Sequence, residues 1–185
     1  MWLIHQNAIL IKDNLLKRKW KSDPKCCFCP ENESFNHLFF ECSMAKFVWS
    51  LVALVVGADC RSPTFAQFWV WVQKYMANGT KFHMVGLSAI CWALWRARNN
   101  ICLRKKKIVR SPTEIICMAS SFILFWAELQ GIEDMAALEA GGEALKDAVL
   151  MFHPLKCHQR IQEWCFFTDA PSLKIIIMSS AGCFP

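Results

Sequence analysis

Cys26, Cys29, His37 and Cys42 follow one another as C-x2-C-x7-H-x4-C, a spacing that can assemble a metal site. Two cysteines separated by two residues can hold one ion from a tight turn. A histidine and a cysteine five positions apart can complete a tetrahedron from the start of a following helix. Thiolate and imidazole are the donors Zn2+ favours, and Cys3His is one of its structural ligand sets. Four protein donors leave no position for a reactive water, so the pattern points to a structural ion and away from hydrolysis. Cys27, between the chelating pair, is expected to turn away from the ion. Glu33, four residues before His37, stands where it can orient the imidazole from behind. With 11 cysteines in 185 residues, coincidental spacing is the competing explanation, and the surroundings must decide between them.

The elements that would carry these residues read as helices. Ile9, Ile11, Leu15 and Leu16 give an apolar pattern over residues 8–20 that closes on Lys17, Arg18, Lys19 and Lys21, cations suited to a helix C-terminus. Asp23-Pro24 then breaks the chain before the metal turn. Ser34 or Asn32 can cap a second helix that carries His37, Cys42, Phe47 and Val48 as far as Val56. Thr64 caps a third over residues 65–76, where Phe65, Phe68, Trp69 and Val72 fall at offsets 0, 3, 4 and 7 on one apolar face. A fourth spans residues 82–106 and a fifth residues 113–130, after Ser111-Pro112. Residues 133–152 form a further helical segment with Gly141-Gly142 in its middle. No segment alternates with a period of two, so the fold class is mostly α: a small zinc-stapled helical domain followed by long apolar helices. The organisation is residues 1–60 as the zinc-binding domain, 61–131 as a helical extension and 132–185 as a helical segment with a tail.

Composition narrows the function classes. Hydrophobic residues make up 55% of the chain, above the roughly 45–50% of soluble domains. The longest apolar runs, residues 47–58, 84–95 and 115–127, are 12 or 13 residues long, short of the roughly 18 a membrane span needs. Lys12 and Asp13 interrupt the first apolar stretch and no small-residue cleavage site follows, so secretion is not expected. Cysteines on apolar segments, such as Cys91, Cys102 and Cys117, fit free thiols in a reducing, intracellular compartment, nuclear or cytoplasmic. Cys157, His158 and Cys165 lack a chelating spacing and suggest no second metal site.

The net charge of +6 gathers in two clusters, Lys17, Arg18, Lys19 and Lys21, and Arg104, Lys105, Lys106 and Lys107. Such clusters attract phosphate through counterion release, and they also occur as solvated helix ends. In the fourth helix Trp92, Trp95, Arg96 and Asn99 share a face. Arg96, Arg98 and Asn99 could meet nucleic acid there, but aromatics at helical spacing more often pack, with arginine stems lying over the rings. No catalytic constellation is visible. No Asp-Asp pair occurs, and the lone Tyr75 precedes Met76-Ala77. Of His5, His37, His83, His153 and His158, only His37 lies in a motif.

The run Cys26-Cys27-Phe28-Cys29, then Glu33-Ser34-Phe35-Asn36-His37-Leu38-Phe39-Phe40-Glu41-Cys42 and the downstream Trp49, resembles the zinc-binding domain that follows the reverse transcriptase in plant LINE-type (non-LTR) retrotransposons. Residues 9–18 resemble that family's preceding helix, with Ile11 where Thr is usual. Trp92-Ala93-Leu94-Trp95-Arg96-Ala97-Arg98-Asn99 is similar to its W-x-x-W-x-x-R-N segment. The resemblance covers roughly residues 1–130. It implies that Cys26, Cys29, His37 and Cys42 hold Zn2+, beside a polymerase in the parent element, and that the chain is a truncated fragment without the polymerase. The expected function is a non-enzymatic module that binds RNA or DNA. The alternative is a zinc-stabilised helical piece that docks on protein and binds no nucleic acid, or an element remnant without function.

Overall fold

The computed structural model describes residues 6, 8–21, 23–57, 61–62, 64–75, 80–104 and 111–151. Six α-helices occur among them: α1 Lys12–Lys17, α2 Ser43–Val56, α3 Phe65–Tyr75, α4 Thr80–Arg104, α5 Pro112–Ala127 and α6 Ile132–Leu150. A π-helical turn, His37–Glu41, precedes α2. The described residues contain no strand, and their extended pairing is limited to one antiparallel bridge, Lys25 with Asn32. None of their helices is long and apolar enough to cross a membrane.

The caps explain most of the boundaries. Ser111 Oγ accepts from the Glu114 N–H at 3.2 Å and Pro112 occupies the first turn, where its missing donor costs nothing. Thr64 Oγ1 accepts from the Gln67 N–H at 3.2 Å and starts α3 as expected. Gly57 ends α2 at φ 67°, a backbone conformation that favours glycine. The first helix is shorter at both ends than the expected 8–20, and a left-handed residue closes it. Lys19 adopts φ 63°, the Lys19 N–H donates to Leu16 O at 2.9 Å and the Trp20 N–H donates to Leu15 O at 3.0 Å. That pair of bonds is a Schellman closure, with lysine in the position glycine usually fills.

A continuous helix from Ser34 to Val56 is not what forms. The chain leaves helical geometry at Cys42, whose φ and ψ are −57° and 142°. Before it, the Cys42 N–H donates to His37 O at 2.7 Å, an i→i+5 closure. Trp49 Nε1 donates to Phe39 O at 2.6 Å and satisfies a carbonyl of that turn from α2.

Packing gathers around α4. Its Leu87, Ala89, Ile90, Cys91, Ala93, Leu94 and Ala97 are buried, and α3, α5 and the π turn pack against it. An aromatic cluster joins the π turn to α2 and α3: Phe40 stacks on Trp49 at 5.8 Å and Trp49 meets Phe68 at 5.1 Å. The helices α5 and α6 form a tight hairpin. Ser120 Oγ donates to Gly142 O at 2.7 Å across a buried crossing. A Cβ at Gly142 would lie 3.1 Å from Leu124 Cδ2, whereas one at Gly141 would meet nothing within 4 Å.

Candidate metal centre

Residues 24–33 fold into a closed loop held by its ends. The Glu33 N–H donates to Pro24 O at 2.9 Å, and the Cys26 N–H donates to Glu31 O at 2.7 Å. Cys26 and Cys29 therefore sit at the tip of one turn, and the Phe28 N–H donates to Cys26 Sγ at 3.4 Å. Opposite stands the π turn. An α-helix advances about 100° per residue, which would point two side chains five positions apart in directions about 140° different. The wider i→i+5 turn carries position five back over its start. This brings His37 and Cys42 to one side, facing the cysteine turn.

The four candidate ligands converge. One donor atom from each of Cys26, Cys29, His37 and Cys42 lies within 4.8 Å of all the others. Cys26 Sγ is 3.9 Å from Cys42 Sγ, and Cys42 Sγ is 3.8 Å from Cys29 Sγ. Around Zn2+, with Zn–S bonds of about 2.3 Å, a tetrahedron has sulfur–sulfur edges of about 3.8 Å. Two of the three edges thus match what the ion requires. His37 enters through Nε2, 3.1 Å from Cys29 Sγ. Ser34 Oγ accepts from the His37 N–H at 3.1 Å and fixes the start of the turn.

The electrostatics ask for a cation. Cys26 and Cys42 cannot both ionise easily unaided, because one thiolate raises the cost of the next. Cys26 ionises first: hydrogen bonds with Cys27 and then Cys42 hold it far below the ordinary thiol value, against the effect of burial. Cys42 is pushed well above that value, by the Cys26 thiolate first and by burial second. A divalent ion removes the conflict.

Glu33 has other partners than the expected one. The Lys12 N–H donates to Glu33 Oε1 at 2.8 Å and caps α1 across 21 residues of chain. Arg98 grips the same carboxylate, with Nη2 2.7 Å from Oε1 and Nε 3.1 Å from Oε2. Both side chains are buried, so the pair spans from the metal loop to α4. Glu33 acts on the loop through α1 and α4 and not through the imidazole of His37. It also lies near Cys26 and Cys27, yet both its oxygens are already engaged. The Lys12 ammonium, buried as well, donates to Lys25 O and ties α1 to the loop a second time.

Arg98 as a structural partner escaped the motif reading, although a signal was present. Leu87, Cys91 and Leu94 lie 11, 7 and 4 residues before it on one buried stripe, and a cation on such a stripe requires an acid. Burial presses its guanidinium down, but the Glu33 hydrogen bonds and charge outweigh that and raise it. Asn99 Oδ1 accepts from Arg98 Nη1 at 2.7 Å. Arg98 is buried and Asn99 half-buried. Arg96 lies over the Phe122 ring at 5.7 Å.

Cys27 is not among the four converging donors, and its thiol interacts with that of Cys102 on α4. Hydrogen bonding between these two thiols, foremost among the causes, lowers Cys102 to about 6, with the Arg98 and Lys12 charges assisting against burial. The same contact with Cys102 is the main cause that raises Cys27. Of the basic candidates, Lys17, Arg18, Lys19 and Lys21 are exposed. Arg104 is the last residue of α4, and Lys105, Lys106 and Lys107 lie outside the described residues. Cys157, His158 and Cys165 also lie outside them.

Residues 1–49 match the family described as zinc-binding in reverse transcriptase. No curated protein and no solved structure matches the chain. The matched segment ends at Trp49, the residue whose indole closes the π turn. It contains all four converging ligands and Glu33, but not Arg98, so the buried ion pair joins the matched segment to a helix beyond it.

Proposed function

We propose that the chain is a non-enzymatic module derived from a retrotransposon reverse transcriptase, of the plant LINE type, in which Zn2+ staples the N-terminal unit and the surface beside it binds RNA or DNA. The observation that carries the metal part is the convergence of Cys26, Cys29, His37 and Cys42 at zinc-like spacing inside the segment that matches zinc-binding reverse transcriptase sequences. Bound there, Zn2+ would neutralise the thiolates and lock the cysteine turn to the π turn, with no open position for a reactive water. The nucleic-acid part is supported by the exposed cations Lys17, Arg18, Lys19 and Lys21, which leave the end of a helix anchored to the metal loop. In a parent element the neighbouring partner would be the reverse transcriptase domain.

Two measurements test this reading. Purified chain should carry one Zn2+ per molecule by mass spectrometry under native conditions. Binding to labelled oligonucleotides should weaken steeply with salt, with a slope of log K against log salt near −3 if four cations meet single-strand phosphates. The exposed Val70, Trp92, Phe125 and Ile132 support the alternative, docking on protein without nucleic acid. Absence of any oligonucleotide binding at low salt, with zinc in place, would decide for that alternative.

A further inference from the structure

The strained closure of α1 gives the nucleic-acid reading a specific point of contact. Lys19 holds φ 63° where glycine would be free of strain. Trp20, immediately after it, is 64% exposed, an unusual setting for the largest apolar side chain, and no described ring packs against it. Its neighbours in sequence, Lys17, Arg18, Lys19 and Lys21, are all exposed. One of them, Lys17, is 2.7 Å from Asp13, and among the described residues no carboxylate pairs with the other three. The platform beneath is firm: the Schellman bonds close the helix, and Lys12 fastens its other end to Glu33 and to Lys25 O.

A flat indole offered to solvent in a run of exposed cations suits a partner that is anionic along its length and carries flat, accessible rings. Single-stranded nucleic acid meets both conditions. A duplex hides its base faces. An anionic lipid surface would call for a broader apolar face than one side chain at the end of a six-residue helix provides. We infer that Trp20 is a base-stacking residue, flanked by Arg18, Lys19 and Lys21 as phosphate contacts, and that the module prefers single-stranded over duplex nucleic acid. This rests on the nucleic-acid reading above and narrows it to strand state and residue. The cation at position 19 also accounts for a strained lysine: glycine would relieve the backbone and lose the charge.

The test uses the full, zinc-loaded chain and fluorescence anisotropy with labelled oligouridylate, oligothymidylate, an abasic oligonucleotide of equal length and a duplex. Trp20→Ala should weaken binding to both base-bearing single strands by about 5- to 150-fold, the usual value of one base–aromatic stack. It should leave the salt slope, the abasic strand and the duplex unchanged, and Trp20→Phe should restore most of the loss. Lys19→Gly should raise the melting temperature while flattening the single-strand salt slope by about 0.7, one phosphate contact. Equal losses on the single strand and the duplex, or no loss with Trp20→Ala, overturn the stacking role while the broader reading survives. Trp20-dependent binding to anionic vesicles also overturns it. If the unaltered chain binds none of the four probes, both readings fall together.

Discussion

Replacing Arg98 by Met should be among the most damaging changes outside the metal ligands, and its cost can be worked from the pair it breaks. Glu33 and Arg98 are 3% and 2% exposed, and two charge-assisted bonds of 2.7 and 3.1 Å join them. Arg98→Met fits the apolar stripe but strands the carboxylate, which keeps only the Lys12 N–H. Removing one partner of a buried pair costs about 3–5 kcal/mol, chiefly because the remaining charge is left uncompensated. The surviving Lys12 bond argues for the lower end, about 3 kcal/mol. The double variant Glu33→Leu with Arg98→Met should recover part of this, because no charge stays behind. It should retain about 1–2 kcal/mol from the lost cap of α1. Urea unfolding of all variants at one saturating zinc concentration measures these terms, since zinc binding would otherwise shift the apparent stability. Zinc content should stay at one ion per chain in each, because no ligand is touched. An Arg98→Met loss below about 1 kcal/mol, or a double variant as unstable as the summed single variants, would refute the reasoning.

Three further outcomes are expected. Cys42→Ser should abolish stoichiometric zinc, while Cys27→Ser, outside the tetrahedral set, should keep it; full zinc in the first and loss in the second would reverse the ligand assignment. Gly141→Ala should stabilise α6 by up to about 1 kcal/mol, since its Cβ meets open space. Gly142→Ala should gain less or lose stability, because its Cβ would press on Leu124 and Ile123 at 3.1–3.3 Å; thermal melts compare the two. Burial lowers the pKa of His83, so the unfolded chain takes up that proton first as pH falls. The contribution of His83 to stability is then intact above about pH 6.5 and declines below it. His83→Leu should therefore lose less stability than the unaltered chain between pH 7.5 and 5.5 in paired urea titrations.

The helices were largely legible because their signals are local. Thr64 and Ser111 cap where a hydroxyl precedes an apolar period, and Gly57 ends α2 where a left-handed residue is needed. The four candidate ligands were legible from spacing, since a chelating turn and a nearby His–Cys pair encode their own proximity. Two features were not. The π turn has no periodic signature distinct from an α-helix over five residues, so the break at Cys42 appears only once the i→i+5 bond is seen. The Glu33–Arg98 pair joins positions 65 residues apart, and local pattern carries no information about such a partner. The end of α1 was misplaced for a related reason: lysine does not announce a left-handed backbone, and Lys19 adopts one.

The metal set and the Glu33–Arg98 pair have separate tasks, and together they account for why so short an N-terminal unit holds its shape. A six-residue helix such as α1 cannot persist alone, because nucleation costs more than a few backbone bonds return. The Cys3His set ties the loop of residues 24–33 to the π turn, a link within the segment that matches zinc-binding sequences. Among the described residues, none of the four ligands hydrogen-bonds α1; Lys12 reaches the loop at Lys25 O. Glu33 adds to that hold, capping the helix through the Lys12 N–H while Arg98 fixes the carboxylate to α4. The first link depends on an ion and the second on a residue outside the matched segment. A shortened chain ending near Trp49 would therefore keep its ligands and lose the partner that neutralises Glu33. It should bind zinc yet hold α1, and the cations and Trp20 beyond it, less firmly than the full chain does. Amide hydrogen exchange tests this directly: the amides of Lys12 and Trp20 should exchange faster in the zinc-loaded short form than in the full chain. Equal protection in the two would show that the metal alone organises the unit.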